Sequence, residues 1–265
     1  MRGCCLCIIV LLTSPVFCQQ MSPDAAKTDT IRTDTTGVNA FLGLSKKQKW
    51  IDPYRSLRYA DKALVLAENL RFKKGAAIAY NLRGFCFWSF GDNDLAIEAA
   101  LESMKIAREI NDPLIQAESY YILARGYLDV ADNAKARESI QVATDLARNG
   151  KDWELLSSIY NLLGVVFFVE KKLDSALYYY TKAFDLGRDH HVDPINFPRI
   201  ISNIGECYAS ENPQLALSYF RRARLMAKET GNTISEASIN DIIGQALLRR
   251  NELPEAETTL LSTLT

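Results

Sequence analysis

The chain has 265 residues, 48% of them hydrophobic and 24% charged, which excludes a wholly disordered polymer and leaves ample apolar material for a core. Its 31 Lys and Arg are interspersed among 32 Asp and Glu, for a formal net charge of -1. Nucleic-acid binders carry a basic stripe that neutralises phosphates, and none is visible, which argues against that partner class.

Residues 1–19 read as a signal peptide. Arg2 is a short positive start, and Leu6 to Leu12 is an apolar run too short to span a hydrocarbon core of ~30 Å. Pro15 then breaks the helix ahead of a cleavage point near Cys18 or Gln19. The expectation is an exported protein of the periplasm or cell envelope. An uncleaved anchor, which would hold the chain at a membrane, and lipidation of Cys18 are the alternatives; bulky Phe17 disfavours the latter. Residues 20–37, rich in Thr, Asp and Ser, cannot offset their ordering entropy by burial and read as a flexible linker. Ordered structure is expected from Val38.

From there an internal repeat governs the chain. Ala96, Ala136, Ala176, Ala216 and Ala256 stand forty residues apart. Four residues further on are Ala100, Ile140, Tyr180, Phe220 and Leu260; seven further on, Ser103, Ala143, Ala183, Ala223 and Thr263. Those offsets fall on one face of a helix, so each set is an apolar stripe with small residues where helices cross. Upstream lie Gly84, Ala124, Gly164, Gly205 and Gly244, each followed after three residues by Phe87, Tyr127, Phe167, Tyr208 or Leu247. Gly205 is one residue out of register, and a shorter turn before Pro213 restores it. The pattern also reaches back to Ser56, Ala60, Ala63 and Ala67, and Trp50 stands forty residues before Phe90. The expected units are a degenerate repeat at 38–74 and repeats at about 75–112, 113–152, 153–194, 195–232 and 233–265. Polar turns too short for anything but antiparallel neighbours separate the helices.

The stretch Asn161 to Gly187 states the pattern most fully, with Leu163-Gly164, Phe167, Ala176, Tyr180 and Ala183. It resembles a tetratricopeptide repeat in a long variant, like the exported repeat region of bacterial envelope or sensor proteins. HEAT-type repeats share the period, but the order of Gly, aromatic, Ala, aromatic and Ala matches the tetratricopeptide pattern better. The resemblance implies an all-α fold, a right-handed solenoid of stacked antiparallel helix pairs. It also implies a non-catalytic scaffold for a protein or peptide, held in a concave groove lined by the first helix of each pair. The alternative is the sensory input domain of a membrane signalling protein, a kinase or transcription regulator, whose C-terminal part is absent from this chain.

In such proteins the residues three and six before the glycine anchor, and one and four after it, face the groove. Carried over, this places Asn81, Phe85, Trp88, Tyr121, Arg125, Asn161, Phe168, Arg199 and Glu206 at the partner-binding surface, with Leu128, Val165, Ser202 and Ser238 among the further lining. Asn81 and Asn161 would bond a peptide backbone, Arg125 and Arg199 a carboxylate, and the aromatics would anchor apolar side chains. Against a carboxylate clamp, the two arginines lie almost two repeats apart.

No nucleophile elbow, phosphate-binding glycine loop, zinc-protease pair or Cys-x-x-Cys occurs, so neither catalysis nor a cofactor nor a metal is expected. Asp189, His190, His191 and Asp193 can be written as a metal cluster, but adjacent side chains diverge, and a solvated joint between repeats is the preferred reading. Cys86 and Cys207 occupy equivalent sites three repeats apart, on the order of 30 Å at ~10 Å per layer, well beyond disulfide reach. Leu260, Leu261 and Leu264 near the end are expected to be exposed unless covered, a basis for self-association there.

Overall fold

The computed structural model describes residues 33–249 and 252–261. The predicted signal segment and linker up to residue 32 lie outside the described residues, as does Leu264. The first helix opens at Thr35, three residues before the predicted start, because the Asp34 carboxylate accepts hydrogen bonds from the amides of Thr36 and Gly37.

Twelve helices follow among the described residues, packed as consecutive antiparallel pairs. They are α1 (Thr35–Gln48) with α2 (Pro53–Asn69), α3 (Lys73–Ser89) with α4 (Asn93–Glu109), and α5 (Pro113–Asp129) with α6 (Asn133–Gly150). Next come α7 (Trp153–Val169) with α8 (Leu173–Asp189), α9 (Phe197–Tyr208) with α10 (Pro213–Thr230), and α11 (Thr233–Arg249) with α12 (Leu253–Leu261). The second helices begin at residues 53, 93, 133, 173, 213 and 253, which is the forty-residue period made physical. A 3-10 turn (Pro194–Asn196) precedes the shorter α9 and accounts for the shifted register of Gly205. The architecture is the expected α-solenoid.

The turns explain why the period is so regular. Arg71, Gly91, Asn111, Ala131, Lys151, Lys171, His191 and Gly231 all adopt positive φ, and the first seven recur every twenty residues. After each comes an amide that reaches back five residues to close the preceding helix, as in Asp112 to Ala107 (3.0 Å) and Asp132 to Tyr127 (2.8 Å). The same aspartates cap the next helix: the carboxylate of Asp112 accepts from Leu114 and Ile115, that of Asp132 from Lys135, that of Asp152 from Leu155. One three-residue joint thus ends one helix and starts another. Ala131, exposed at φ 59°, pays a steric penalty for its left-handed conformation. Ala131→Gly is expected to raise unfolding stability by about 0.5–1 kcal/mol, read by urea denaturation; a loss of stability would contradict the assigned role of this joint.

Packing follows the small-residue stripe. Ala96, Ala136, Ala176, Ala216 and Ala256 are at most 2% exposed. At three of the four glycine anchors a large side chain of the paired helix occupies the missing Cβ position: Tyr180 at Gly164, Phe220 at Gly205, Leu260 at Gly244; at Gly84 the neighbours are Ile122 of the next hairpin and the backbone oxygen of Ala96. Leu260 is therefore partly covered within its own hairpin, contrary to the expectation of an exposed end, whereas Leu261 is 54% exposed. Cys86 and Cys207 are buried and free, their thiols pushed up to about 11 by burial.

The coil of six hairpins brings its two ends together. The Thr233 hydroxyl at the start of α11 donates to the Ile51 carbonyl in the joint between α1 and α2. Trp50, in the same joint, lies against Arg199 of α9, with Cζ 4.9 Å from the ring centroid. The inner face of the coil is thereby narrowed into cavities rather than left as an open trough.

Candidate functional site

The first helices α3, α5, α7, α9 and α11 present one stripe each to the inside of the coil, because residues spaced three and four apart share a helix face. A cavity of about 290 Å³ lies there, walled by Trp88, Tyr121, Arg125, Asn161 and Arg199 from four different helices, and by Leu128, Val165, Ser202 and Ser238. Trp50 closes one side and Ile234, Ile239 and Ile242 of α11 another. Five of the nine predicted site residues are brought together, and a volume near 300 Å³ is enough for one or two ligand side chains.

Its electrostatics are unusual for a buried place. Arg125 is 4% exposed, with its guanidinium carbon 3.0 Å from the centroid of the Trp88 ring and its Nη1 donating to the Tyr121 hydroxyl at 3.1 Å. Among the described residues neither Arg125 nor Arg199 makes an ion pair within 4 Å. Asp129 also lines the cavity, but its carboxylate accepts a hydrogen bond from Trp88 Nε1 at 2.8 Å. Two guanidiniums thus face one carboxylate. Burial pushes the Arg125 guanidinium down to about 9, opposed by Tyr121 and reinforced by Arg199. Burial also pushes the Tyr121 phenol up, yet Arg125 and Arg199 together more than offset it and leave the phenol below its usual value.

Three buried polar atoms on the same walls have no hydrogen-bond partner: Trp50 Nε1, Arg199 Nε and Ser202 Oγ. Trp50 is 4% exposed and Ser202 3%, so these atoms find no partner within the fold itself. An unmet buried donor costs about 1–3 kcal/mol, which a ligand acceptor placed here would relieve.

The remaining predicted residues go elsewhere. Asn81 is fully buried and its amide is engaged within the fold: its Nδ2 donates to the Ile115 carbonyl at 3.2 Å, and its Oδ1 accepts from Ser119 Oγ at 2.9 Å. It stitches α3 to α5, which corrects its assignment to the surface. Asn161, at the equivalent position, also bonds the next hairpin, accepting from Asn203 Nδ2 at 2.9 Å, but still borders the cavity. Phe85 packs edge-on against Trp50 at 4.7 Å and is 6% exposed, so it supports the wall and borders a second opening of about 820 Å³. Phe168 packs on the core of neighbouring hairpins and borders none of these cavities. Glu206 lies in a further cavity of about 220 Å³, separated from the first by Ile242, which borders both. His190 stacks on Trp153 at 4.1 Å and Asp193 accepts from the Ile195 amide, so the Asp-His-His-Val-Asp segment serves as a joint.

Trp50, Asp129 and the α11 residues Ile234, Ile239 and Ile242 were not anticipated at the site. Trp50 carried a signal, its place in the forty-residue register, but register alone does not say that the coil returns to it.

No family model and no curated protein matches the chain. Among solved structures, it is similar to NprR in complex with its cognate peptide NprX, with a TM-score of 0.66, 15% identity, and 85% of this chain and 66% of that one covered. It is similar also to the Rap conjugation gene regulator of plasmid pLS20 in complex with the Phr* peptide, with a TM-score of 0.65, 11% identity, and 95% and 78% covered. Against aspartyl phosphate phosphatase F from Bacillus subtilis the TM-score is 0.63 at 13% identity, with 85% of this chain covered, and the chain spans 58% of that protein's length. At these identities the likeness establishes the fold, and that fold is a helical repeat of the tetratricopeptide type.

Proposed function

We propose that this protein is a non-catalytic scaffold that binds a peptide, or a peptide segment of a protein, on the inner face of its coil. The observation that supports the reading is the cavity lined by Arg125 and Arg199, where two cations that make no ion pair among the described residues converge with the unpartnered Trp50 and Ser202 groups. Such an arrangement is unfavourable for the empty fold and favourable for a bound acceptor. Two of the proteins with this fold were solved with a peptide bound, which adds support. Panning a random dodecapeptide display library against the protein is the test. Clones should be enriched by the native chain and lost from Arg199→Ala, whose helicity and melting should be unchanged. Equal enrichment by both would place recognition away from this cavity.

A further inference from the structure

The peptide-binding reading leaves open what kind of segment fits, and the inner face of α9 narrows it. Arg199, Ser202 and Glu206 fall at spacings of three and four on that helix, hence on one stripe. At a rise of 1.5 Å per residue, the cation and the carboxylate stand about 10 Å apart along the axis. Arg199 opens into the first cavity and Glu206 into the smaller one, with Ile242 shared between them. Ser202, with its unpartnered hydroxyl, lies between.

Among the described residues neither end of this track makes an ion pair, although Asp129 lines the cavity with the arginines and Arg249 that of Glu206. Arg125 and Arg199 have no partner in ion-pair contact, as described above. Glu206 is half-buried and likewise makes no ion pair among the described residues; Arg249 borders its cavity but is exposed and lies beyond that distance. Burial holds the Glu206 carboxyl above its usual value, with Arg249 only partly opposing the shift. A carboxylate in that state gains from a nearby cation.

We propose that the ligand is a short extended peptide segment with opposite charges at its two ends, its carboxylate seated between Arg125 and Arg199 and its basic side chain beside Glu206. The proposal rests on the peptide-binding reading. The spacing fits an extended segment of polyproline II type, in which three residues at ~3.1 Å each cover about 9 Å and return the first and fourth side chains to one face. Ile242 on the shared wall would meet an apolar side chain in the middle, and Ser202 Oγ a backbone amide or carbonyl. The carboxylate is either a free C-terminus or an acidic side chain, since both present the same group to the guanidiniums.

The test is fluorescence anisotropy with labelled tetrapeptides. Lys-Leu-Leu-Asp amide should bind at least about tenfold more tightly than the reversed Asp-Leu-Leu-Lys amide, and more tightly than Leu-Leu-Leu-Asp amide by a similar factor. Lys-Leu-Leu-Leu with a free C-terminus, against its amide, tells whether a terminal carboxylate serves as well. The decisive variant is Glu206→Lys, which should bind Glu-Leu-Leu-Asp amide in preference to Lys-Leu-Leu-Asp amide, with circular dichroism confirming that it folds. Peptides recovered by panning that bind without regard to charge order, or an unchanged preference in Glu206→Lys, would overturn the opposite-charge segment and leave the scaffold standing. Hexanoate displacing the peptide with equal affinity would overturn the peptide as occupant. Failure of both the panning and the tetrapeptides would overturn the two proposals together.

Discussion

Gly164→Ala is expected to destabilise the protein by about 1–3 kcal/mol, and Gly164→Leu by more. A Cβ at this position would lie 2.3 Å from both Cδ1 and Cε1 of Tyr180, a ring that is 1% exposed and enclosed by the core of the third and fourth hairpins. The ring cannot retreat without opening that core, because native interiors have no spare volume for a displaced aromatic. The contrast within the same chain makes the effect diagnostic. At Gly43, in the middle of α1, nothing lies within 4 Å of an added Cβ, so Gly43→Ala should stabilise by up to about 1 kcal/mol through helix propensity alone. Denaturant midpoints of the two variants should move in opposite directions. Movement in the same direction would mean that Gly164 is not where two helices meet.

The second large effect concerns Arg125. Replacing it with methionine is expected to abolish most peptide binding, by about tenfold to a hundredfold, while raising the melting temperature. The charge is buried among aromatic rings without an ion pair, and burying an ion costs several kcal/mol. Its compensation is the stack on Trp88, worth about 2 kcal/mol when desolvated, and one hydrogen bond to Tyr121, worth about 1 kcal/mol. The net gain on removal is then about 1–2 kcal/mol, or roughly 2–8 °C in a chain of this size. The sign with pH follows from the same cause. A base whose folded pKa lies below its unfolded value costs stability while both states are charged, and the cost fades as pH rises through the folded pKa, about 9. The advantage of Arg125→Met over the native chain should therefore be full near pH 7 and shrink above pH 9. Destabilisation at neutral pH would show Arg125 to be a structural residue and not one held for a ligand.

Much of the fold was legible because the same physical demand recurs. Ala96 and its forty-residue successors predicted the second helices, whose starts at 93, 133, 173, 213 and 253 keep the same spacing. Even the irregularity at Gly205 had a visible cause in the turns around it. The site was legible only in part. Position within a repeat says which stripe faces inward, and it brought Trp88, Tyr121, Arg125, Asn161 and Arg199 to the cavity. It could not separate Asn81 from Asn161, since that depends on whether Ser119 or Asn203 stands opposite in the next hairpin. Nor could it place Arg125 beside Arg199. Their approach, and the return of Trp50 to α9, come from small rotations summed over several hairpins, which no single repeat encodes.

Photo-crosslinking tests the site most directly. A peptide recovered by panning, carrying benzoylphenylalanine beside its acidic residue, should on irradiation give adducts on Trp50, Trp88, Tyr121 or Ile239, mapped by mass spectrometry after digestion. Adducts confined to the outer helices α4, α6 and α8 would contradict binding inside the coil.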